Sequence, residues 1–214
     1  MPEPFMIDLI LAPAFTLWGS PTTWLELLAF TLAVAMVVGN IRLRPWAWPL
    51  AIASSLLYLL LFWHHRLYGE AALQVFFALM AGWGWWQWLR GRLPDGRALR
   101  PRAMSLRQRA LTVAAIGAAW PLLGLYLARV TDTDVPWWDA FPTAASVVGQ
   151  VLLGRQWIEN WAVWIVVNIV SVGLFAWKGL WLTALLYTLF IGMSWAGWQA
   201  WAGRMRPPAS DPAR

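Results

Sequence analysis

Aromatic rings and a carboxamide lie close together in one apolar stretch, residues 159–168, which has the sequence Glu-Asn-Trp-Ala-Val-Trp-Ile-Val-Val-Asn. On a helix, steps of three and four residues place Trp161, Trp164 and Asn168 on one face. An amide at membrane depth must be buried in protein or face a wet cavity, because an unpaired polar group in hydrocarbon costs several kcal/mol. The stretch therefore predicts a ligand site lined by aromatic faces and an amide.

The whole chain has the composition of an all-α integral membrane protein. Of its 214 residues, 60% are hydrophobic and 12% are charged, and the mean hydropathy is +0.55. These values exclude an ordinary soluble domain. Seven apolar runs are long enough to be predicted as membrane-spanning helices, at 22–41, 46–63, 70–89, 109–128, 138–154, 160–177 and 180–201.

The placement of the arginines predicts how the helices are oriented. The formal net charge is +6, but the arginines lie at the ends of apolar runs and not on a basic surface interleaved with aromatics, so we expect no nucleic-acid partner. Most of them fall on one side if residues 90–108 form a basic cytoplasmic loop. We therefore expect a bacterial inner-membrane protein with its N-terminus outside, an interfacial segment over 1–21, and a disordered cytoplasmic tail over 204–214.

An internal repeat organises the predicted helices. A shift of 113 positions (137 − 24) aligns two parts of the chain without a gap. The matched pairs include Trp24 with Trp137, Glu26 with Asp139, Trp48 with Trp161, Phe77 with Phe190, Gly84 with Gly197, and Trp88 with Trp201. Residues 22–89 and 137–203 are thus predicted to be two three-helix repeats, made parallel by a linker helix over 109–128. Transporters bind substrate where such repeats meet.

Four motifs carry a resemblance to a known family. They are Trp48-Pro49, Leu67-Tyr68-Gly69-Glu70 followed by Leu73-Gln74, Gly84-Trp85 with Trp88, and the stretch 159–168. Over residues 18 to 203 the chain resembles the PnuC family of vitamin transporters. The resemblance implies import of nicotinamide riboside by facilitated diffusion, trapping of the substrate by phosphorylation inside the cell, a three-plus-one-plus-three fold like that of the SWEET carriers, and a homotrimer.

Eight residues are predicted to bind the substrate: Trp48, Gln74, Phe77, Asn160, Trp161, Trp164, Asn168 and Tyr187. The riboside is a pyridinium cation, and an aromatic face holds a desolvated organic cation by roughly 2 kcal/mol or more. The role of Gln74 rests on the resemblance. Each residue also has a purely structural alternative, namely packing for the rings, an interhelical hydrogen bond for Gln74 and Asn168, and a helix cap for Asn160. Glu159 is expected to be a gate or the partner of a nearby arginine.

Two other functions remain open at this stage. Thiamine or riboflavin would suit the same family, and a non-catalytic scaffold subunit would use the tryptophans only for packing. The sequence contains no phosphate-binding loop and no catalytic constellation, so we expect neither an enzyme nor a cofactor. No metal site is expected, because His64-His65-Arg66 has no third ligand at suitable spacing, and the absence of cysteine removes thiolate ligands.

Overall fold

A computed structural model describes residues 12–17, 19–64, 68–91, 100–131, 135–177 and 181–205. Within these ranges the chain forms seven helices and one two-stranded hairpin. The helices are α1 (Trp24–Ile41), α2 (Ala47–His64), α3 (Tyr68–Arg90), α4 (Leu106–Val130), α5 (Pro136–Gly154), α6 (Asn160–Trp177) and α7 (Trp181–Met205). The predicted count of seven helices is confirmed. The predictions for 1–11, for 92–99 of the basic loop, for 206–214 of the tail and for His65-Arg66 fall outside the described residues.

The described part of the predicted interfacial segment forms a β-hairpin. Strands β1 (Pro13–Leu17) and β2 (Ser20–Thr23) pair antiparallel. Gly19 takes a φ of +85° in the turn between them, a conformation that glycine adopts without steric cost. Thr23 then caps α1, because its hydroxyl accepts from the Glu26 N–H while the Glu26 carboxylate accepts from the Thr23 N–H. The sequence analysis predicts an interfacial segment here and not a hairpin.

The linker helix α4 begins three residues earlier than the run of apolar residues predicts. Ser105 forms a capping box with Gln108, in which each side chain bonds the backbone of the other residue. The capping energy lets the helix include the polar turn that starts at Leu106, ahead of the apolar run. By length and composition alone, three described helices, α1, α4 and α6, could cross a membrane.

The helices pack within and across the predicted repeats. Helix α2 lies between α1 and α3, and α6 lies between α5 and α7. Two contacts join these groups, α3 with α5 and α1 with α7, while α4 packs on α5. Helices α1, α3, α5 and α7 therefore finish at the same end of the bundle, where α2, α4 and α6 begin. We call this the arginine end, because it carries Arg42, Arg44, Arg90, Arg102, Arg109, Arg155 and Arg204.

The turns after α1 and α5 have the same unusual backbone. Leu43 has a φ of +56° and Gln156 a φ of +54°, both in the left-handed region that non-glycine residues rarely adopt. These two residues are 113 positions apart (156 − 43), the same offset as in the sequence repeat. The preceding residues, Arg42 and Arg155, each close the helix by donating to the carbonyl four residues earlier. The offset seen in side chains therefore extends to backbone conformation.

Candidate functional site

Four tryptophans form a continuous aromatic contact at the arginine end, which we call the tryptophan cluster: Trp48, Trp88, Trp161 and Trp201. The ring centroids are 5.3 Å apart in Trp48–Trp88 and 5.4 Å apart in Trp161–Trp201, and both pairs are edge to face. Trp88 and Trp201 join the two pairs at 6.2 Å. Edge-to-face packing is a favoured aromatic geometry, since the positive ring edge meets the negative face. The cluster thus connects α2 and α3 with α6 and α7.

Two hydrogen bonds from this cluster cross between the repeats. The Trp88 indole N–H donates to the Leu153 carbonyl of α5 at 3.2 Å, and the Trp201 N–H donates to the Asn40 carbonyl of α1 at 3.1 Å. The two bonds are reciprocal, because both the donors (201 − 88) and the acceptors (153 − 40) are 113 positions apart. The last helix of each predicted repeat is therefore bonded to the first helix of the other, which holds the four helices together at the arginine end.

Two glycines make room for the cluster. A Cβ atom added to Gly84 would overlap the six-membered ring of Trp48, and one added to Gly197 would lie 2.6 Å from Trp161. Real Cβ atoms essentially never approach other heavy atoms that closely. The paired glycines thus allow the indoles to lie directly on the backbones of α3 and α7.

Trp48 and Trp161 are placed in this cluster and not around an open space. Their side chains are 1% and 2% exposed, so their faces are covered by protein in this structure. Both indole N–H groups are buried and have no hydrogen-bond partner among the described residues. Asn160 lies beside them, completely buried, and its amide donates to the Trp157 carbonyl at 2.6 Å. These three predicted residues therefore share the closed end of the bundle.

Asn168 lies in a separate layer, deeper in the bundle. It is seven residues beyond Trp161 on α6, which is about 10 Å along the helix axis. Its buried amide donates to the Ser194 hydroxyl of α7 at 3.4 Å, and Ser171 is buried one turn further along. An amide at this depth is thus paired within the protein, as its polarity requires.

A group of aromatic rings lies next to these polar residues, on the side away from the arginine end. The Tyr187 ring lies 5.0 Å from Phe175 and 5.9 Å from Phe190, measured between centroids. Tyr58 of α2 is within electrostatic range of Tyr187 and of Glu26 on α1. Residues of both repeats therefore approach each other here. We call the polar pair and the aromatic group together the polar-aromatic layer, which extends over about two turns of α6 from Asn168 to Phe175: Tyr58, Asn168, Ser171, Phe175, Tyr187, Phe190 and Ser194.

The remaining predicted residues are dispersed. Trp164 is half-buried and packs against α5 near Gly149, while Gln74 and Phe77 are half-buried on α3. Among the described contacts, the ring contact of Phe77 is with its neighbour Phe76. The structure thus separates the eight predicted residues into Trp48, Asn160 and Trp161 at the arginine end, Asn168 and Tyr187 in the polar-aromatic layer, Gln74 and Phe77 on α3, and Trp164 against α5. The sequence analysis aligns Trp88 with Trp201 in the repeat but does not predict either of them as a site residue. Their offset of 113 positions is the signal that could have identified them.

The start of α6 is fixed to the linker helix by one carboxylate. Glu159 accepts from the Met104 N–H and from the Arg109 side chain, each at 2.9 Å. Glu159 is buried, whereas the Arg109 side chain is 49% exposed. Arg109 is thus the arginine partner that sequence analysis expected for Glu159.

Replacing Glu159 with alanine is expected to destabilise the protein by about 1–3 kcal/mol, because the partly buried Met104 backbone N–H loses its acceptor. The exposed arginine adds little to this cost. Thermal unfolding followed by tryptophan fluorescence would measure the loss. Glu159→Gln keeps an acceptor and is expected to lose clearly less stability. Equal losses for the two variants would show that the negative charge matters and the acceptor does not.

Apolar helices packed around a buried polar and aromatic layer are typical of membrane transporters. The comparison with known families agrees. The chain belongs to the family described as "Nicotinamide mononucleotide transporter", whose sequence model matches residues 23–203. The resemblance to the PnuC family and the prediction of a transporter that is not an enzyme are both confirmed.

Several relatives are similar over nearly the full chain. The nicotinamide riboside transporter PnuC of Escherichia coli (strain K12) is 24% identical over 90% of this chain and 90% of its own length. The riboflavin/roseoflavin transporter RibM of Streptomyces davaonensis is 27% identical over 90% of this chain and 91% of its own. A solved structure, the crystal structure of the vitamin B3 transporter PnuC, superposes with a TM-score of 0.70 at 25% identity, covering 84% of this chain and 81% of that one.

Proposed function

We propose that this transporter imports nicotinamide riboside across the bacterial inner membrane by facilitated diffusion. The observation that carries the proposal is the polar-aromatic layer, in which the Asn168 amide bonds the Ser194 hydroxyl one helical turn from Phe190 and about two turns from the Phe175–Tyr187 ring contact. A carboxamide pairs with the carboxamide or ribose hydroxyls of the riboside, and aromatic faces attract its pyridinium ring. The similarity to the E. coli riboside transporter supports the same substrate.

The charge distribution favours the riboside over its phosphorylated form. In the described helices other than α4, the arginines and lysines are Arg90 and Arg204, both in a last turn. Protein sites for phosphate usually supply charge-assisted hydrogen bonds from such residues. Near the opposite helix ends lie Glu26 on α1 and Asp139 on α5, which suit the approach of a cation. A substrate that is cationic and free of phosphate fits this arrangement best.

The two repeats are proposed to form a three-plus-one-plus-three arrangement like that of the SWEET carriers, and to exchange access by rocking against each other. The reciprocal bonds of Trp88 and Trp201, and the matching turns at Leu43 and Gln156, support a two-fold relation between the halves. The arginine end is proposed to be cytoplasmic by the positive-inside rule. In this conformation the tryptophan cluster closes the cytoplasmic side, and release of substrate requires it to separate. A homotrimer is proposed on the family resemblance.

Uptake by purified protein in liposomes tests the substrate. Labelled nicotinamide riboside should equilibrate across the bilayer without ATP or an ion gradient. A riboside kinase with ATP enclosed in the vesicles should convert equilibration into accumulation, which is the proposed trapping. Labelled nicotinamide mononucleotide should not enter. Entry of the mononucleotide at the same rate, or a requirement for an ion gradient, would contradict the proposal.

Asn168→Ala is expected to lower riboside uptake roughly tenfold, because losing one hydrogen bond in a dry site costs up to about 1.5 kcal/mol. Ser194→Ala distinguishes a substrate contact of the Asn168 amide from its hydrogen bond to α7. If Asn168 only bonds α7, the two variants should lose uptake equally; if it contacts substrate, Ser194→Ala should retain more. Thr188→Val is the control, since the Thr188 hydroxyl bonds its own helix at Ala184. Wild-type uptake by Asn168→Ala would remove this residue from the site.

Riboflavin is the second candidate substrate, because the Streptomyces davaonensis relative is a riboflavin/roseoflavin transporter. A flat, neutral isoalloxazine ring could stack on the same aromatic side chains without using their attraction for cations. Competition distinguishes the candidates. Unlabelled riboside should abolish labelled riboside uptake at concentrations where riboflavin or thiamine has no effect. Stronger inhibition by riboflavin or thiamine would keep the transporter class and change the substrate.

A further inference from the structure

A cavity of about 740 Å³ lies at the arginine end, away from the polar-aromatic layer. It is bounded by α4, α5, Gln87 near the end of α3, and the segments that precede α4 and α6. Its volume falls within the range of about 300–1,000 Å³ that is usual for ligand sites. The transport cycle proposed above does not use it, because no residue of the tryptophan cluster or of the polar-aromatic layer lines it.

One end of this cavity is cationic. The Arg102 guanidinium lies over the Trp157 ring, 4.0 Å from its centroid. The backbone of Arg102 is held in place by hydrogen bonds with Gln156 and Ile158. Its Nε–H is buried and has no partner among the described residues. Burial, and then the neighbouring positive charge of Arg155, lower the pKa of Arg102, so the two guanidiniums are close enough to repel each other.

The remaining walls are mostly apolar, with Gln87, Gln108 and Thr112 as their polar members. Leu111 and Ala115 of α4 face the cavity, as do Val147, Val148 and Val151 of α5. None of the described residues that line the cavity is an aspartate or glutamate. The nearby carboxylate of Glu159 is bonded to Arg109 and Met104. The arginine pair therefore has no anionic partner from the described cavity wall, and the lining combines two cationic side chains with a majority of apolar ones.

We propose that this cavity binds an anionic phospholipid, with its phosphate between Arg102 and Arg155 and an acyl chain along α4 and α5. A phosphate accepts hydrogen bonds from two guanidiniums and relieves their repulsion. Basic pockets between membrane helices hold anionic headgroups for the same reason. A free anion would accept hydrogen bonds from the arginines but would make no apolar contact with the valine and leucine side chains of the cavity wall. The amphiphilic lining thus matches a lipid and not a soluble phosphate.

Native mass spectrometry of the full-length protein tests the assignment, with phosphatidylglycerol as the probe and phosphatidylcholine as the neutral comparison. The wild type should retain phosphatidylglycerol preferentially. The double variant Arg102→Gln/Arg155→Gln should retain it roughly thirtyfold less tightly, since each basic residue near the surface contributes about a factor of five. Arg129→Gln is the control, because Arg129 is exposed at the opposite end of α4.

A second variant distinguishes a loss of lipid binding from a loss of folding. Ala115→Trp fills the apolar part of the cavity and leaves both arginines, so it should also weaken lipid retention while thermal unfolding stays as in the wild type. Unchanged retention in both variants would overturn the proposal. Stabilisation by inorganic phosphate that depends on the arginines, without a preference for phosphatidylglycerol, would assign the cavity to a free anion instead. Variants that change the assembly mass together with lipid retention would make it an interface between copies.

Discussion

Replacing Gly197 with alanine is expected to destabilise the protein strongly, whereas Gly192→Ala, five residues earlier on α7, is expected to be tolerated. A Cβ at position 197 would lie 2.6 Å from the Trp161 ring, but one at position 192 would meet no atom within 4 Å. Overpacking of this kind costs about 1–3 kcal/mol. Alanine at an open helix position instead gains up to about 1 kcal/mol. The two variants should therefore differ in both sign and size when thermal unfolding is measured.

Two glycines of α3, in the first predicted repeat, allow the same comparison to be made independently. Gly84→Ala should destabilise through Trp48, and Gly82→Ala on the same helix should not, since nothing lies within 4 Å of its added Cβ. The atoms nearest Gly84 belong to the six-membered ring of Trp48. Trp48→Phe removes that ring, so the double variant Gly84→Ala/Trp48→Phe should be more stable than the sum of the two single losses predicts. Strict additivity would show that this contact does not limit stability.

The double variant Trp88→Phe/Trp201→Phe is expected to open the arginine end. Phenylalanine keeps an aromatic ring but loses the indole N–H, and with it the bonds to Leu153 and Asn40. Each bond contributes about 0.5–1.5 kcal/mol, so the open population should rise roughly 5- to 150-fold. The cost per bond is moderate because both carbonyls also accept from the turn that follows their own helix.

Cysteine labelling measures this opening directly, since the chain has no cysteine of its own. Ala51→Cys places one thiol beside the tryptophan cluster, where the native side chain is buried. Its alkylation should be slow in the wild-type background and faster in Trp88→Phe/Trp201→Phe. Trp86→Phe/Trp195→Phe is the matched control, because it changes exposed tryptophans of the same two helices. Equal alkylation rates in all three backgrounds would mean that the two bonds do not hold the end closed.

The labelling result also bears on transport. If the cluster is the cytoplasmic closure, weakening it should alter riboside uptake even though the polar-aromatic layer is unchanged. A change in alkylation without any change in uptake would separate the closure from the rate-limiting step. These readings depend on the proposed orientation of the arginine end toward the cytoplasm.

Much of the fold could be predicted from local features of the sequence. Each helix is an apolar run with its own hydrogen bonds, so composition and run length sufficed to find all seven. The end of α1 at residue 41 and the span of α6 at 160–177 were predicted to the residue, whereas α4 was shortened because its capping box at Ser105 was overlooked. The repeat offset of 113 positions also links Trp48 to Trp161 and Gly84 to Gly197 in the sequence alone.

The sequence by itself therefore determined the membrane class, the number of helices and the family resemblance, because these depend on residue types and their spacing, and the same spacing predicts the repeat. Only the tertiary structure decided which neighbours each side chain meets. It placed Trp161 on Gly197 at the closed end and Asn168 against Ser194 in a separate layer, although both share one face of α6. It also directed Trp88 and Trp201 to carbonyls of the opposite repeat. The helical period predicts a shared face, but the rotation and depth of the facing helices choose the partner at each level.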